Sequence, residues 1–241
     1  MNLAWAVAGA VLGALAGAAL RGPVFRLAVP SGEPDRTACP RCGTPATAVA
    51  VRCRECRGVF GPPWVFEVVT AVVLGLLCAR FAGSAAVLAF GFLGVLAVAL
   101  SGIDIAVSRL PDKLTLPAYP VLILLLGIAA LAGHSGGALL RALLGGVALT
   151  CAYFLLAVVR PGQLGAGDVK LAGLTGLALG WLGWPVLILG AALAFVLSAV
   201  VSLGLLAARR ISLRDSICFG PFMLGGALIA ILVSGLATFL D

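Results

Sequence analysis

The chain has 241 residues, of which 62% are hydrophobic and only 10% charged, with a net charge of +7 and a mean hydropathy of +1.20. A soluble domain carries roughly a quarter charged residues, so a water-soluble fold is excluded. The charge does not point to nucleic acid either, because the basic residues are not interleaved with aromatic ones as in single-strand binders.

Uncharged runs cover 1–20, 81–103, 114–133, 142–159, 171–208 and 216–240. A bilayer span takes about 20 apolar residues, and the alternating ten-residue segments of a β-barrel are not visible. The fold class is therefore all-α, a polytopic integral membrane protein with about eight transmembrane helices. The 32 glycines suit helices that approach closely in lipid.

The first span is read at 3–20. It lacks a basic stretch before it, and Arg21 and Arg26 come after it. That order places the N-terminus outside and the next loop in the cytoplasm. Residues 21–63 form the only sizeable polar segment. Within it lie Cys39-Pro40-Arg41-Cys42 and Cys53-Arg54-Glu55-Cys56, two C-x-x-C pairs. Four thiolates at such spacing close a tetrahedral zinc site with no open position, so its role is structural. A reducing cytoplasmic loop disfavours disulfides. Cys78, Cys151 and Cys218 lie singly in apolar runs and read as small core residues.

Residues 64–241 read as a seven-helix membrane core. Its spans are placed at 64–79, 85–103, 114–132, 138–159, 168–180, 185–207 and 218–240, with Trp181 and Trp184 at an interface that divides the longest run. Glu67 starts the first of these and either supports a site or receives a basic partner. With the N-terminus outside, every Lys and Arg except Arg80 and Arg141 falls on the inner side, which satisfies the positive-inside rule. Asp104, Asp112 and Asp168 share that side. The lone His134 falls on the other, which disfavours serine–histidine chemistry.

Asp104 ends one apolar run and Asp168, in Gly165-Ala166-Gly167-Asp168-Val169-Lys170, begins another. Ionisable residues at a bilayer rim are costly and mark function. Two carboxylates sharing a site do not both ionise, so one holds a proton while the other activates water. By helix-end electrostatics Asp168, in a first turn, is the base and Asp104, in a last turn, the acid. Gly165 and Gly167 leave the backbone bare for an extended substrate. Asp112, after Pro111, reads as a helix cap or supporting group. The bland alternative pairs Asp168 with Lys170 or Arg160, and Asp104 with Arg109, as interfacial salt bridges.

These residues resemble the type IV prepilin leader peptidases, a family of membrane aspartic peptidases. The likeness rests on the two C-x-x-C pairs, Ile103-Asp104 followed by Leu110-Pro111-Asp112 and Leu114-Thr115-Leu116-Pro117, the Gly-Ala-Gly-Asp-Val-Lys stretch, and Phe219-Gly220-Pro221-Phe222. It implies an enzyme of the bacterial inner membrane that cuts the short leader from prepilins or pseudopilins at the cytoplasmic face, with Asp104 and Asp168 catalytic. Many members also methylate the new N-terminus with S-adenosylmethionine. Here the spacer between the cysteine pairs is shorter than in typical bifunctional members. The competing readings are a proton- or cation-coupled transporter using Asp104 and Asp168, and a membrane assembly subunit whose zinc loop docks a partner. Transport carboxylates usually lie near the midplane of broken helices, whereas these two sit at the ends of apolar runs.

Overall fold

A computed structural model describes residues 2–30, 32–39, 41–45, 53, 55–58, 64–160, 164–210 and 218–237. The described residues form eight α-helices and no strand, with one isolated bridge between Ala38 and Pro45. Arg52, Arg54, Arg214, residues 161–163, and the polar loop expected through Asp215 from residue 211 on lie outside the described residues.

The chain divides into two compact units, Met1–Pro111 and Asp112–Asp241. The first holds α1 (Leu3–Leu27), α2 (Val65–Arg80) and α3 (Ala86–Val107). Helix α1 runs on beyond residue 20, the end expected from the charge at Arg21. Arg21 is buried and paired with Glu67, so it closes no span, and Pro23 is accommodated inside the helix. The α1–α2 contact is set by Gly9, Gly13 and Gly17, one turn apart on a single stripe. A Cβ at Gly13 would stand 2.5 Å from the Thr70 carbonyl oxygen, one at Gly9 would stand 2.7 Å from that of Leu74, and one at Gly17 would meet that of Phe66. Backbone therefore lies directly on backbone, the packing that small residues permit in lipid.

The second unit holds α4 (Asp112–Ala132), α5 (Gly136–Val159), α6 (Ala166–Leu182), α7 (Trp184–Ala207) and α8 (Gly220–Ala237). Helix α6 is its centre, packed by α4, α5, α7 and α8, and every residue from 171 to 180 is buried. It is apolar all round and shows no amphipathic face, as a fully enclosed helix should. Glycines set its contact with α5 on both sides: a Cβ at Gly176 would lie 2.6 Å from the Gly145 carbonyl oxygen, and one at Gly145 would lie 2.8 Å from that of Gly176. At the far end, Arg141 donates from Nε to the Gly180 carbonyl and from Nη2 to that of Trp181, both at 3.0 Å. These bonds satisfy carbonyls that a helix C-terminus leaves open.

Five helices are long and apolar enough to cross a membrane: α1, α3, α4, α5 and α7. Helices α2 and α6, at 16 and 17 residues, and the apolar part of α8, Gly220–Ser234, are shorter. Outward faces are rich in bare aliphatic side chains, among them Val68 and Val72 of α2 and Leu155 and Val159 of α5. Such surfaces are foreign to a soluble monomer and match a lipid surround.

Candidate functional site

Four groups of chemistry-bearing residues stand out. The first is the cysteine cluster of the first unit. Cys39 N–H donates to the Thr44 carbonyl and Gly43 N–H to that of Cys39, both at 2.9 Å. Gly43 takes a positive φ of 73° that closes this turn. The second knuckle is tied by Cys53 N–H to the Gly58 carbonyl at 2.9 Å. The two turns bring the Cys39 and Cys56 sulfurs to 3.7 Å and those of Cys42 and Cys53 to 3.4 Å, and all four Sγ atoms lie within 4.8 Å of one another. A tetrahedron with metal–sulfur bonds of about 2.3 Å has edges of roughly 3.8 Å, so the donor set fits a tetrahedral thiolate metal site. Cys39 and Cys53 are buried and pack against Phe25 of α1, which seats the knuckles on the helix end.

The thiols are electrostatically dissimilar. The Thr44 hydroxyl and N–H, with Cys53, pull Cys42 down to about 6, and the Arg41 and Cys42 N–H groups lower Cys39. Cys56 accepts from Gly58 N–H, yet desolvation and the three neighbouring sulfurs push it up to about 11. Sulfurs this close resist ionising together. A bound cation is what lets all four carry charge.

The second group surrounds Asp168. It sits in the first turn of α6, buried at 9% exposure, and its Oδ2 accepts the Gly165 N–H at 3.1 Å. A Cβ at Gly165 would lie 3.3 Å from that same oxygen, so a side chain there would crowd the carboxylate. Gly167, half-buried, is the second residue of the helix. Two residues past the aspartate, Lys170 Nζ reaches Asp112 Oδ1 at 2.6 Å. Asp112 is the first residue of α4, so this ion pair joins the starts of α4 and α6. The Tyr119 hydroxyl donates to the Lys170 carbonyl at 2.5 Å, a second tie between the same helices.

Asp104, the third, belongs to the first unit. It is 5% exposed, in the last turn of α3 beside a fully buried Ile103. Its carbonyl accepts the Ser108 N–H at 2.7 Å, and Ser108 adopts a left-handed φ of 49° that ends the helix. Arg109, the cation nearest in sequence, donates to the Pro30 carbonyl at 3.1 Å. The fourth group is Arg21 and Glu67, 2.6 Å apart at 5% and 16% exposure. Glu67 thus receives a basic partner from α1.

Sequence reasoning took Arg21 only as a marker of orientation and passed over Tyr119 and Tyr153. The available signal was scarcity, since Tyr119 and Tyr153 are the chain's two tyrosines, and both are on helices that pack against α6.

An all-helical membrane protein with a four-thiol cluster in one unit, and buried aspartates at helix ends in both, is the class that these features define. Residues 90–203, which contain both buried aspartates, match the type IV leader peptidase family. The chain is 32% identical over 220 residues to a prepilin leader peptidase/N-methyltransferase of Burkholderia pseudomallei, covering 84% of this chain and 67% of that protein. It is 31% identical over 214 residues to one of Aeromonas salmonicida, covering 82% and 71%. With one of Pseudomonas aeruginosa it shares 29% identity over 220 residues, covering 81% and 71%. The chain belongs to the type IV leader peptidase family. No solved structure matches it.

Proposed function

We propose that this protein is a multi-pass enzyme of the bacterial inner membrane that removes the leader peptide from type IV prepilins or pseudopilins, with Asp104 and Asp168 as the water-activating pair. The observation that carries this reading is the burial of both carboxylates, 5% and 9% exposed, at the ends of apolar helices within the family-matched segment. Apolar helices keep such groups at a high cost when they do no work.

Asp168 is the base. The positive end of α6 and the Gly165 N–H both favour its negative form. Asp104, at the negative end of α3, holds the proton. Water attacks the scissile carbonyl carbon as Asp168 takes a proton from it. Asp104 supplies the proton that the departing amine needs, and the products are a free carboxylate and a new amino terminus. Gly165 and Gly167 leave room for an extended substrate backbone beside the carboxylate. Lys170 and Asp112 support the site by fixing the start of α4 to that of α6.

Zinc is the metal that suits Cys39, Cys42, Cys53 and Cys56. Its place is structural, since four sulfurs leave no position for substrate or water. In orientation, the N-terminus is outside, with the cysteine knuckles and aspartates on the cytoplasmic side, a reading that the distribution of basic residues supports.

The test is purified protein in detergent or lipid with a prepilin, with and without S-adenosylmethionine, read by mass analysis of the product. Asp104→Asn and Asp168→Asn should each lower cleavage at least about 10²–10⁴-fold without changing the melting profile. Substantial cleavage by either variant refutes the assignment. A methylated product reports the second activity that the relatives' names carry, with S-adenosylmethionine as donor. Metal analysis of the same sample should find zinc in equal amount to protein.

A further inference from the structure

The hydroxyl of Tyr153 is out of keeping with its surroundings. Tyr153 is 2% exposed on α5, and its ring packs against Phe195 at 5.7 Å and Phe219 at 6.0 Å, which themselves stand 5.2 Å apart. Three rings from three segments form an apolar cage, yet the Tyr153 hydroxyl is buried with no hydrogen-bond partner among the described residues. A buried hydroxyl left unpaired is costly. Phenylalanine would fill the same slot without that cost.

The helix register shows what the hydroxyl faces. Helices α5 and α6 run antiparallel: Gly145 lies against Gly176 and Gly180, and Gly146 against Gly173 and Leu177. Thr150 lies against Gly173, its Oγ1 2.7 Å from where a Cβ there would stand. One further turn along α5 brings Tyr153 beside the first turn of α6, which carries Asp168. The charge of Asp168 does reach the Tyr153 hydroxyl. The other tyrosine, Tyr119, is engaged by the Lys170 carbonyl, so Tyr153 alone of the two has an uncommitted donor.

We propose that Tyr153 is a positioning residue for Asp168, its hydroxyl donating to the carboxylate through one shared water and fixing that carboxylate, with the Gly165 N–H, in the orientation for catalysis. The inference rests on the aspartate reading of the site. Tyr153 keeps its own proton throughout, because it orients a base and transfers nothing. The donor acts by aim, holding the carboxylate toward the water that it deprotonates, so its loss should slow the chemical step and leave substrate binding alone.

The experiment compares Tyr153→Phe with wild type on a prepilin substrate in lipid, alongside Asp168→Asn. Tyr153→Phe keeps the three-ring cage, so its melting temperature should stay near that of wild type, while kcat falls about tenfold or more and KM stays within about twofold. A purely structural tyrosine would instead lose stability and kcat together, or neither. Should the phenylalanine variant fold poorly, a ring-fluorinated tyrosine at 153 keeps shape and hydroxyl while strengthening the donor. A changed kcat at constant KM there supports the assignment, and an unchanged kcat overturns it. An Asp168→Asn protein that still cleaves overturns the aspartate reading and this inference with it. An inactive Asp168→Asn beside a Tyr153→Phe at full kcat overturns this inference alone.

Discussion

Two helix seams are built with the same device and end differently. Along α1–α2, three glycines on one helix seat it against bare carbonyls of the other, and the row runs on to the Arg21–Glu67 ion pair. Along α5–α6, glycines on both helices interlock, and the row runs on to Tyr153 and Asp168. In the first seam the polar end is charge against opposite charge at 2.6 Å, with the buried Arg21 Nε left over. In the second it holds a carboxylate that accepts the Gly165 N–H and, on the facing helix, the buried Tyr153 hydroxyl. Equal burial of polar groups thus has two meanings in one chain. An opposite-charge pair secures packing in one seam, and in the other a carboxylate at a helix start beside a buried hydroxyl is where we place the chemistry.

The sharpest way to break this contrast is to remove one half of the compensated pair. Glu67→Gln leaves Arg21 charged and buried, and losing one partner of such a pair costs about 3–5 kcal/mol. Unfolding in detergent should show that loss, while kcat per folded molecule is unchanged. Replacing both partners, Arg21→Met with Glu67→Met, should recover most of the stability, because an apolar pair of similar volume needs no compensation. A drop in kcat for Glu67→Gln at full folding would instead move Glu67 into the catalytic site.

The next effect in size separates the seams by function. Gly13→Ala and Gly176→Ala each place a methyl within 2.5 to 2.6 Å of a backbone oxygen, which a side-chain rotation does not relieve. Overpacking of this kind costs about 1–3 kcal/mol. Gly13→Ala should lower the melting temperature alone. Gly176→Ala should lower both melting temperature and kcat, because it pushes α5, with Tyr153, away from α6. Gly91→Ala and Gly127→Ala, where a Cβ meets nothing within 4 Å, should go the other way and stabilise by up to about 1 kcal/mol through helix propensity. If all four behaved alike, close packing would not be what these glycines are for.

That spread among glycines shows where the sequence stops being readable. Its apolar runs disclosed the helices, because in lipid every backbone group must pair within its own helix. The two C-x-x-C pairs likewise disclosed a four-sulfur cluster that the chain does form, since the ligands of each knuckle are local. Partners distant in sequence were not legible. Arg21 looked like the end of the first span, and only its contact with Glu67, 46 residues on, lets α1 continue to Leu27. Lys170 looked like a neighbour for Asp168, yet it bonds Asp112, 58 residues away. Which few of 32 glycines touch a facing backbone depends on register between helices; the four-residue spacing of Gly9, Gly13 and Gly17 does mark one such face, whereas Gly145 carries no comparable local sign.

The smallest effect concerns that last pair. Lys170 and Asp112 hold a 2.6 Å contact with side chains 37% and 56% exposed, and exposed ion pairs contribute only about 0–1 kcal/mol. Lys170→Ala and Asp112→Asn should therefore shift the melting temperature little, and added salt should erase even that difference. Tyr119 continues to tie α4 to α6 through the Lys170 carbonyl, a backbone contact that the alanine variant retains. The consequence for cleavage follows from geometry. The pair joins the start of α4 to a residue two positions beyond Asp168, so its loss should loosen the first turn of α6 and raise KM more than it lowers kcat. Tyr119→Phe combined with Lys170→Ala removes both ties, and the kinetic penalty should then exceed the sum of the single effects. Strict additivity would show that the two contacts hold α6 independently.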